Sequence, residues 1–154
     1  MKGVVLLVLG LVVILAWSCK SKKKSSEVLE SLPIDEDITI LKLKSGSCRG
    51  KCKVYELEMG ASGNVAYIGT KNVKLKGVHL SQWNTDEVDS LFKANGFIDL
   101  QERYLSGARD IQQFELMYNY KAVVFEKRRA PENLIILFNA SETKVEEGDC
   151  KRLD

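Results

Sequence analysis

The strongest constraint on this chain is an apolar stretch close to its start. Residues 4–17 form a run of 14 residues without a charged side chain, preceded by the basic start Met1-Lys2-Gly3. A helix needs about 20 apolar residues to cross a bilayer, so this run is too short for a transmembrane segment. A basic start and a short apolar run that ends at a small residue are typical of a secretory signal. We therefore expect the folded domain to be built from the residues that follow the run.

The end of the apolar run carries a more specific pattern. The segment 15–19, Leu-Ala-Trp-Ser-Cys, resembles a lipobox, the site at which a bacterial lipoprotein is acylated on the cysteine thiol and cleaved immediately before it. Ala16 and Ser18 meet the demand of such a site for small residues. The sequence therefore predicts a lipoprotein signal peptide at residues 1–18 and lipidation of Cys19. Two or more acyl chains anchor a protein firmly, because each buried methylene contributes about 0.8 kcal/mol.

The residues after Cys19 are polar and rich in lysine. Residues 20–26 hold four lysines and three serines. Such a segment cannot bury enough apolar surface to offset the entropy of ordering it, so we predict residues 19–35 to be a lipidated N-terminus and flexible linker. Two interpretations of the lysines stay open: a solvated spacer that keeps the domain off the membrane, or basic charge that gains roughly 1 kcal/mol per lysine near an anionic surface.

The rest of the chain has the length of one domain. Cleavage after residue 18 would leave 136 of the 154 residues, enough for one adequate core. We predict a single globular domain over residues 36–148 and a polar tail over 149–154. The formal net charge of the chain is only +2, so nothing in the composition favours a nucleic-acid partner.

Alternation of apolar and polar residues predicts strands, and capping signals predict helices. Six strands are expected, at residues 38–44, 54–59, 64–68, 73–77, 114–119 and 122–126. Asn84 followed by Glu87 has the form of a capping box and predicts a helix over 85–95. A final helix is predicted to begin at Pro131, with a strand over 133–139 as the alternative. The fold class expected is α+β, an antiparallel sheet of about five or six strands with two helices packed on one face.

Several short motifs together suggest a family. They are Ile38-Thr39-Ile40, the segment Cys48-x-Gly50-x-Cys52-x-Val54-Tyr55, the strand Gly63-x-Val65-x-Tyr67-x-Gly69 and the pair Phe97-x-x-Leu100. The combination resembles an uncharacterised family of small bacterial envelope lipoproteins, catalogued as a domain of unknown function, over roughly residues 37–145. Family members usually carry proline where this chain has Lys53. The resemblance implies an envelope location and a fold but brings no activity.

Cys48 and Cys52 are the candidates for chemistry. Outside the cytoplasm thiols tend to oxidise, and two cysteines around a glycine can close a tight loop, so a structural disulfide is the leading interpretation. A metal site is the alternative. Cys48 and Cys52 with the single histidine, His79, resemble the copper-binding arrangement of thioredoxin-like copper chaperones, although there the cysteines precede a helix and here they precede a strand. Zinc could use the same three residues with Cys150.

Cys150 is the unmatched cysteine, and the sequence leaves its state open. It could pair with another chain, pair with Cys48 or Cys52, or stay free. A dimer linked through Cys150 is a hypothesis that follows from this count.

No set of residues indicates an enzyme. The chain has one histidine, no Gly-x-Ser-x-Gly segment and no nucleotide-binding loop. The remaining polar and aromatic candidates have ordinary structural interpretations, as helix-start or solvated carboxylates and as aromatic residues at the edge of the core: Asp86, Glu87, Asp89 and Glu102, and Tyr55, Tyr67, Tyr118 and Tyr120.

The function predicted is therefore a lipid-anchored protein of the bacterial cell envelope that acts as a non-catalytic binding or assembly module. The expected location is the outer membrane, facing the periplasm. The expected partners are the membrane, through the lipid on Cys19, and other envelope proteins, with no cofactor. The alternative function is a thiol- or metal-handling envelope protein that uses Cys48 and Cys52, with copper or zinc as the metal.

Overall fold

The computed structural model describes residues 37–148 and 151–152. The predicted signal peptide, the predicted lipidation site Cys19, the linker and Cys150 lie outside the described residues. Within the described ranges, no helix is both long and apolar enough to span a membrane.

The described chain forms eight strands, two α-helices and one short 3-10 helix. In chain order they are β1 (Thr39–Ser45), β2 (Val54–Gly60), β3 (Asn64–Lys71), β4 (Gly77–Gln82), α1 (Thr85–Ala94), the 3-10 helix (Phe97–Asp99), β5 (Arg103–Tyr104), β6 (Phe114–Tyr118), β7 (Lys121–Phe125), α2 (Glu132–Glu147) and β8 (Lys151–Arg152).

All eight strands belong to one sheet. Their order is β5-β7-β6-β1-β2-β3-β4-β8, and every pair is antiparallel except β5 with β7. The mixed α+β class predicted from the sequence is confirmed, but the estimate of five or six strands is too small. The added strands β5 and β8 have two residues each, too few to show an alternating pattern. Because β8 pairs with β4, the predicted polar tail contributes to the sheet edge.

The fourth predicted strand is wrong in position. Residues 73–77 alternate apolar and basic side chains, yet the strand begins at Gly77, where the prediction ended. Val73 and Leu75 instead pack on the core from a loop that folds over β3. The loop lies so close to Gly69 that a Cβ there would come within 1.9 Å of the Leu75 carbonyl oxygen. The alternation of apolar residues here comes from a loop whose apolar side chains pack on the core, not from a strand.

Both helices begin close to where the sequence predicts. The side chain of Asn84 accepts hydrogen bonds from the backbone N–H groups of Asp86 and Glu87, which satisfies two of the free donors of α1. The Glu87 carboxylate pairs with Lys144 of α2, 3.1 Å away. Residues 133–139 are helical, so the strand alternative for this segment is wrong. The buried positions of α2 are spaced three and four residues apart, which places them on one side of the helix.

The core lies between one face of the sheet and the two helices. Leu41, Leu43 and Leu57 of the central strands are fully buried together with Phe92 of α1 and Phe138 of α2. The opposite face of the sheet carries cross-strand ion pairs between β1 and β2, Lys42 with Glu58 and Lys44 with Glu56. This two-layer arrangement leaves the two ends of the sheet as the places where loops and turns gather.

Candidate functional site

The loop between β1 and β2 holds the cysteine pair. Cys48 and Cys52 are joined in the structure as a disulfide, with their Cα atoms 5.8 Å apart. The three residues between them, Arg49, Gly50 and Lys51, are exposed. The disulfide therefore fixes a short loop that presents two basic side chains to solvent. We call the region of Ser45–Lys53, Asn72 and Ile111–Gln113 the disulfide end of the sheet.

Hydrogen bonds hold the base of this loop. The Lys53 carbonyl accepts from the Ser45 hydroxyl and from the Gln112 amide nitrogen, each at 2.7 Å. The Gln112 amide also donates to the Gly46 carbonyl at 3.0 Å. On the other side, the Asn72 amide donates to the Cys52 carbonyl at 3.0 Å. Sequence reasoning missed Gln112 and Asn72, because no pattern marks a contact between segments this far apart in the chain.

A charged network lies beside the loop, between the sheet and α2. The Glu146 carboxylate is 2.8 Å from the Lys53 ammonium and 2.9 Å from the Lys74 ammonium. Hydrogen bonds from these two lysines lower the pKa of Glu146 to about 2. The same contact with Glu146 raises the pKa of Lys53. The network joins Lys53, just before β2, and Lys74, in the loop between β3 and β4, to the last turns of α2.

A second contact of α2 lies deeper in the same interface. The Tyr55 hydroxyl donates to the Glu142 carboxylate at 2.7 Å, and burial raises the pKa of Tyr55 above its ordinary value. Between these groups and Leu43, Leu57 and Tyr67 is a space of about 20 Å³, which is room for about one water molecule. This interface joins α2 to the sheet and has no volume for a larger ligand.

His79, the alternative metal ligand, lies on β4 and is only 6% exposed. Its Nε2 donates to the Lys76 carbonyl at 3.0 Å, and its buried Nδ1 has no hydrogen-bond partner among the described residues. In the part of the chain that the structure describes, no three histidine, cysteine, aspartate or glutamate side chains gather as metal ligands. The structure does not bring Cys48, Cys52 and His79 together as a metal site.

The opposite end of the sheet has a different surface. Ile38 is 62% exposed, Ile98 is 69% exposed and Tyr120 is 80% exposed. The chain enters β1 here, and the backbone N–H of Asn119 donates to the Ile40 carbonyl at 2.9 Å. We call the region of Asp37–Ile40, Gly96–Leu100 and Asn119–Lys121 the N-terminal end of the sheet. Three of its exposed side chains are large and apolar, and the exposed Asp99 and Asn119 lie beside them, whereas the loop at the disulfide end exposes basic side chains.

An open groove of about 330 Å³ adjoins these exposed side chains. It is lined mainly by apolar atoms, with Phe97, Ile98 and Tyr118 among its walls. The Tyr118 hydroxyl hydrogen-bonds to Asp89, and burial is the main cause that raises the pKa of Tyr118 to about 12. Asp89 also pairs with Lys93 at 2.5 Å, and this contact is the main cause that lowers the pKa of Asp89. Asp89 therefore positions the wall of the groove.

The tyrosines predicted at the edge of the core divide into two groups. Tyr55, Tyr67 and Tyr118 are buried, at 4%, 6% and 7% exposure. Tyr120 is not at the edge of the core but at the tip of the turn between β6 and β7, where Asn119 and Tyr120 both have positive φ. A signal for this was available, because a gap of two residues between alternating runs is typical of a tight hairpin turn.

Comparison with known proteins identifies the domain and nothing more specific. No curated protein and no solved structure matches the chain significantly. A family model does match, over residues 39–144, which is more than half of the chain and includes every described strand from β1 to β7. The chain therefore belongs to the family described as a domain of unknown function (DUF6438).

Proposed function

We propose that this protein is a lipid-anchored component of the bacterial cell envelope and that it acts as a non-catalytic binding or assembly module. The lipobox-like segment that ends at Cys19 supports attachment to a membrane. The proposed location is the outer membrane, with the domain in the periplasm. The single observation that carries the proposal is the disulfide between Cys48 and Cys52, because disulfides persist in oxidising compartments outside the bacterial cytoplasm.

The surface proposed for binding is the loop at the disulfide end. Arg49 and Lys51 are exposed, while the disulfide and the bonds to the Lys53 carbonyl limit the motion of the loop that carries them. A loop held in one conformation loses less entropy when it binds, so it binds more tightly for the same contacts. Lys51, together with Arg49, which forms an exposed ion pair with Asp110 at 3.5 Å, favours a partner with acidic groups in the envelope.

The first experiment is the intact mass of the protein extracted from its own membranes, measured with and without thiol alkylation. We expect acyl chains on the chain that starts at Cys19, no alkylation of Cys48 or Cys52 before reduction, and no bound metal. A bound metal ion with both thiols free would contradict the proposal and support the alternative, a thiol- or metal-handling protein.

A second experiment tests the loop. A photo-crosslinking residue is placed at position 51 in the membrane-anchored protein, and a control is placed at Arg128, an exposed basic position before α2. We expect a crosslinked envelope protein from position 51 alone, with a lower yield when Cys48 and Cys52 are both changed to serine. Equal crosslinking from both positions would contradict a binding role for the loop.

A further inference from the structure

We propose that the apolar tip of the N-terminal end, formed by Ile38, Ile98 and Tyr120, contacts the interface of the lipid bilayer to which the protein is anchored. The inference rests on the proposed lipid anchor and names the partner of this end of the domain. It makes the linker before Asp37 a short connection to a domain that lies on the membrane, rather than a spacer that holds the domain away from it.

The first observation that distinguishes the tip is the exposure of its apolar side chains. Five large apolar side chains of the described residues are exposed, and the three most exposed are those of the tip, against 45% for Ile136 and 39% for Ile111. Single exposed apolar residues are ordinary, but several at one place indicate a surface that contacts something.

Hydrogen bonds bring the three residues to the same end. The contact of the Asn119 N–H with the Ile40 carbonyl puts the hairpin turn that carries Tyr120 beside the start of β1. The Lys121 ammonium donates to the carbonyls of Ile98 and Leu100, which puts the 3-10 helix beside the same turn. The tip is therefore formed by three separate segments of the chain.

The conformation of Tyr120 is an independent sign. Both residues of its turn have positive φ, 45° for Asn119 and 69° for Tyr120, a combination that favours Asn-Gly. A tyrosine is strained in this conformation, and at 80% exposure its ring gains little from packing within the domain. The ring of tyrosine is amphipathic and prefers the membrane interface, which would compensate for the strain.

The charges around the tip are compatible with a lipid surface. The Asp37 carboxylate accepts hydrogen bonds from the side chain and backbone of Ser62. Lys93 pairs with Asp89, and Lys121 is bonded to two carbonyl groups. These three groups keep their partners when the tip approaches lipid, whereas the exposed carboxylate of Asp99, next to Ile98, must stay in water at the polar edge of the contact.

The length of the linker allows the contact. Residues 20–36 separate Cys19 from the first described residue, and these 17 residues span at most about 60 Å when fully extended. The chain joins the domain at Asp37, next to the tip, so an anchor on Cys19 keeps this end of the domain near the membrane.

The test uses tryptophan fluorescence in the full chain. Tyr120→Trp and the control Gln113→Trp are each produced in bacteria, extracted and reconstituted into phosphatidylethanolamine vesicles with brominated acyl chains, which quench tryptophan on contact. Gln113 is exposed and lies at the disulfide end. Trp83, the native tryptophan that remains in a chain starting at Cys19, contributes equally to both samples. We expect the Tyr120→Trp chain to lose most of its added fluorescence and the Gln113→Trp chain to keep nearly all of it.

Flotation of the same samples, with Cys19→Ser in parallel, reports the anchor separately. Flotation with equal quenching at positions 120 and 113 would overturn the membrane contact and leave the anchor in place. If the chain carries no acyl group and does not float, the anchor fails. In that case excess brominated vesicles are added to the chain. Quenching at position 120 alone would then support the membrane contact, and the absence of quenching would overturn it. A protein crosslinked from position 120 without quenching would also overturn it.

Discussion

The two ends of the sheet are held by different kinds of interaction. At the disulfide end, a covalent bond and polar contacts to the Lys53 carbonyl fix an exposed loop. At the N-terminal end, three aromatic rings pack beneath the surface: Phe92 lies 4.3 Å from Tyr118 and 5.3 Å from Phe97, measured between ring centroids. The first end is covalently fixed and exposes a basic loop, and the second is packed by aromatic residues and carries the three most exposed large apolar side chains of the described residues.

The two kinds of interaction contribute differently to the stability of the domain. A short disulfide loop constrains few residues of the unfolded chain, so its effect is mainly local. Burial of aromatic rings stabilises the whole domain, because each ring removes a large apolar area from water. We therefore expect substitutions below the surface of the N-terminal end to unfold the domain, and substitutions at the disulfide end to change the loop.

The largest effect is expected from Phe97→Ala. The ring of Phe97 is 2% exposed, and replacement of a buried phenylalanine by alanine costs about 3–5 kcal/mol of unfolding free energy. Its neighbour Ile98 is 69% exposed, so Ile98→Ala is a matched control with an expected change within about 0.5 kcal/mol. Urea denaturation of both variants measures the difference. Similar losses for the two would contradict the view that aromatic burial holds this end.

How far the sequence predicts this fold depends on the length of each element. The strands β1, β2, β3, β6 and β7 have five to eight residues each and show their alternation clearly. The strands β5 and β8 have two residues each, and only tertiary pairing reveals them. Val73 and Leu75 show that alternation also arises where a loop packs on a core. An alternating sequence pattern indicates which side chains are buried, whereas a strand of two residues can be assigned only when the strand that it pairs with is known.

The candidate surfaces were predictable in part. The spacing of Cys48 and Cys52 and the apolar run before Cys19 are local features, so both can be recognised directly in the sequence. Gln112 contacts the Lys53 carbonyl from 59 residues away, and no local feature marks that contact. The apolar tip combines three segments that are distant in sequence, so it is visible only after the chain is folded.

The next effect in size is expected from Cys48→Ser combined with Cys52→Ser. For a loop of about five residues, the entropy of the unfolded chain accounts for roughly 2 kcal/mol of stability, less than for a long loop. We expect urea denaturation to show a loss of this size and hydrogen exchange to become faster for residues 46–53. Exchange at Phe97–Leu100 in the native state should not change. Faster exchange there as well would show that the two ends are not independent.

A smaller effect is expected at acid pH from the charged network. The pKa of Glu146 falls from an ordinary 4.5 to about 2 in the folded protein, so the carboxylate stabilises the fold above pH 4.5 and this stabilisation is lost as the pH falls toward 2. Because the contacts are near the surface, we expect less than about 1 kcal/mol. Glu146→Gln should remove this part of the pH dependence.

The neighbouring substitution Glu147→Gln is the control for Glu146, because Glu147 is exposed and makes no ion pair with the described residues. Thermal unfolding measured between pH 2 and pH 6 compares the variants. If Glu147→Gln changes the slope as much as Glu146→Gln does, general acid repulsion rather than the network beside the disulfide sets the pH dependence.

The smallest effect, and the sharpest for the comparison of the two ends, is expected from Tyr120→Gly. Relief of the left-handed conformation gains about 1–2 kcal/mol, and the greater freedom of glycine in the unfolded chain cancels about 0.5–1 kcal/mol of it. We therefore expect a net gain of about 0.5 kcal/mol in the urea denaturation of the full chain, with the turn becoming Asn-Gly. Tyr120→Phe keeps the ring and the strain, so its stability should not change. A loss of stability with glycine would show that the ring packs on the domain, whereas a gain would show that the fold does not need the tyrosine and would support a contact outside the fold.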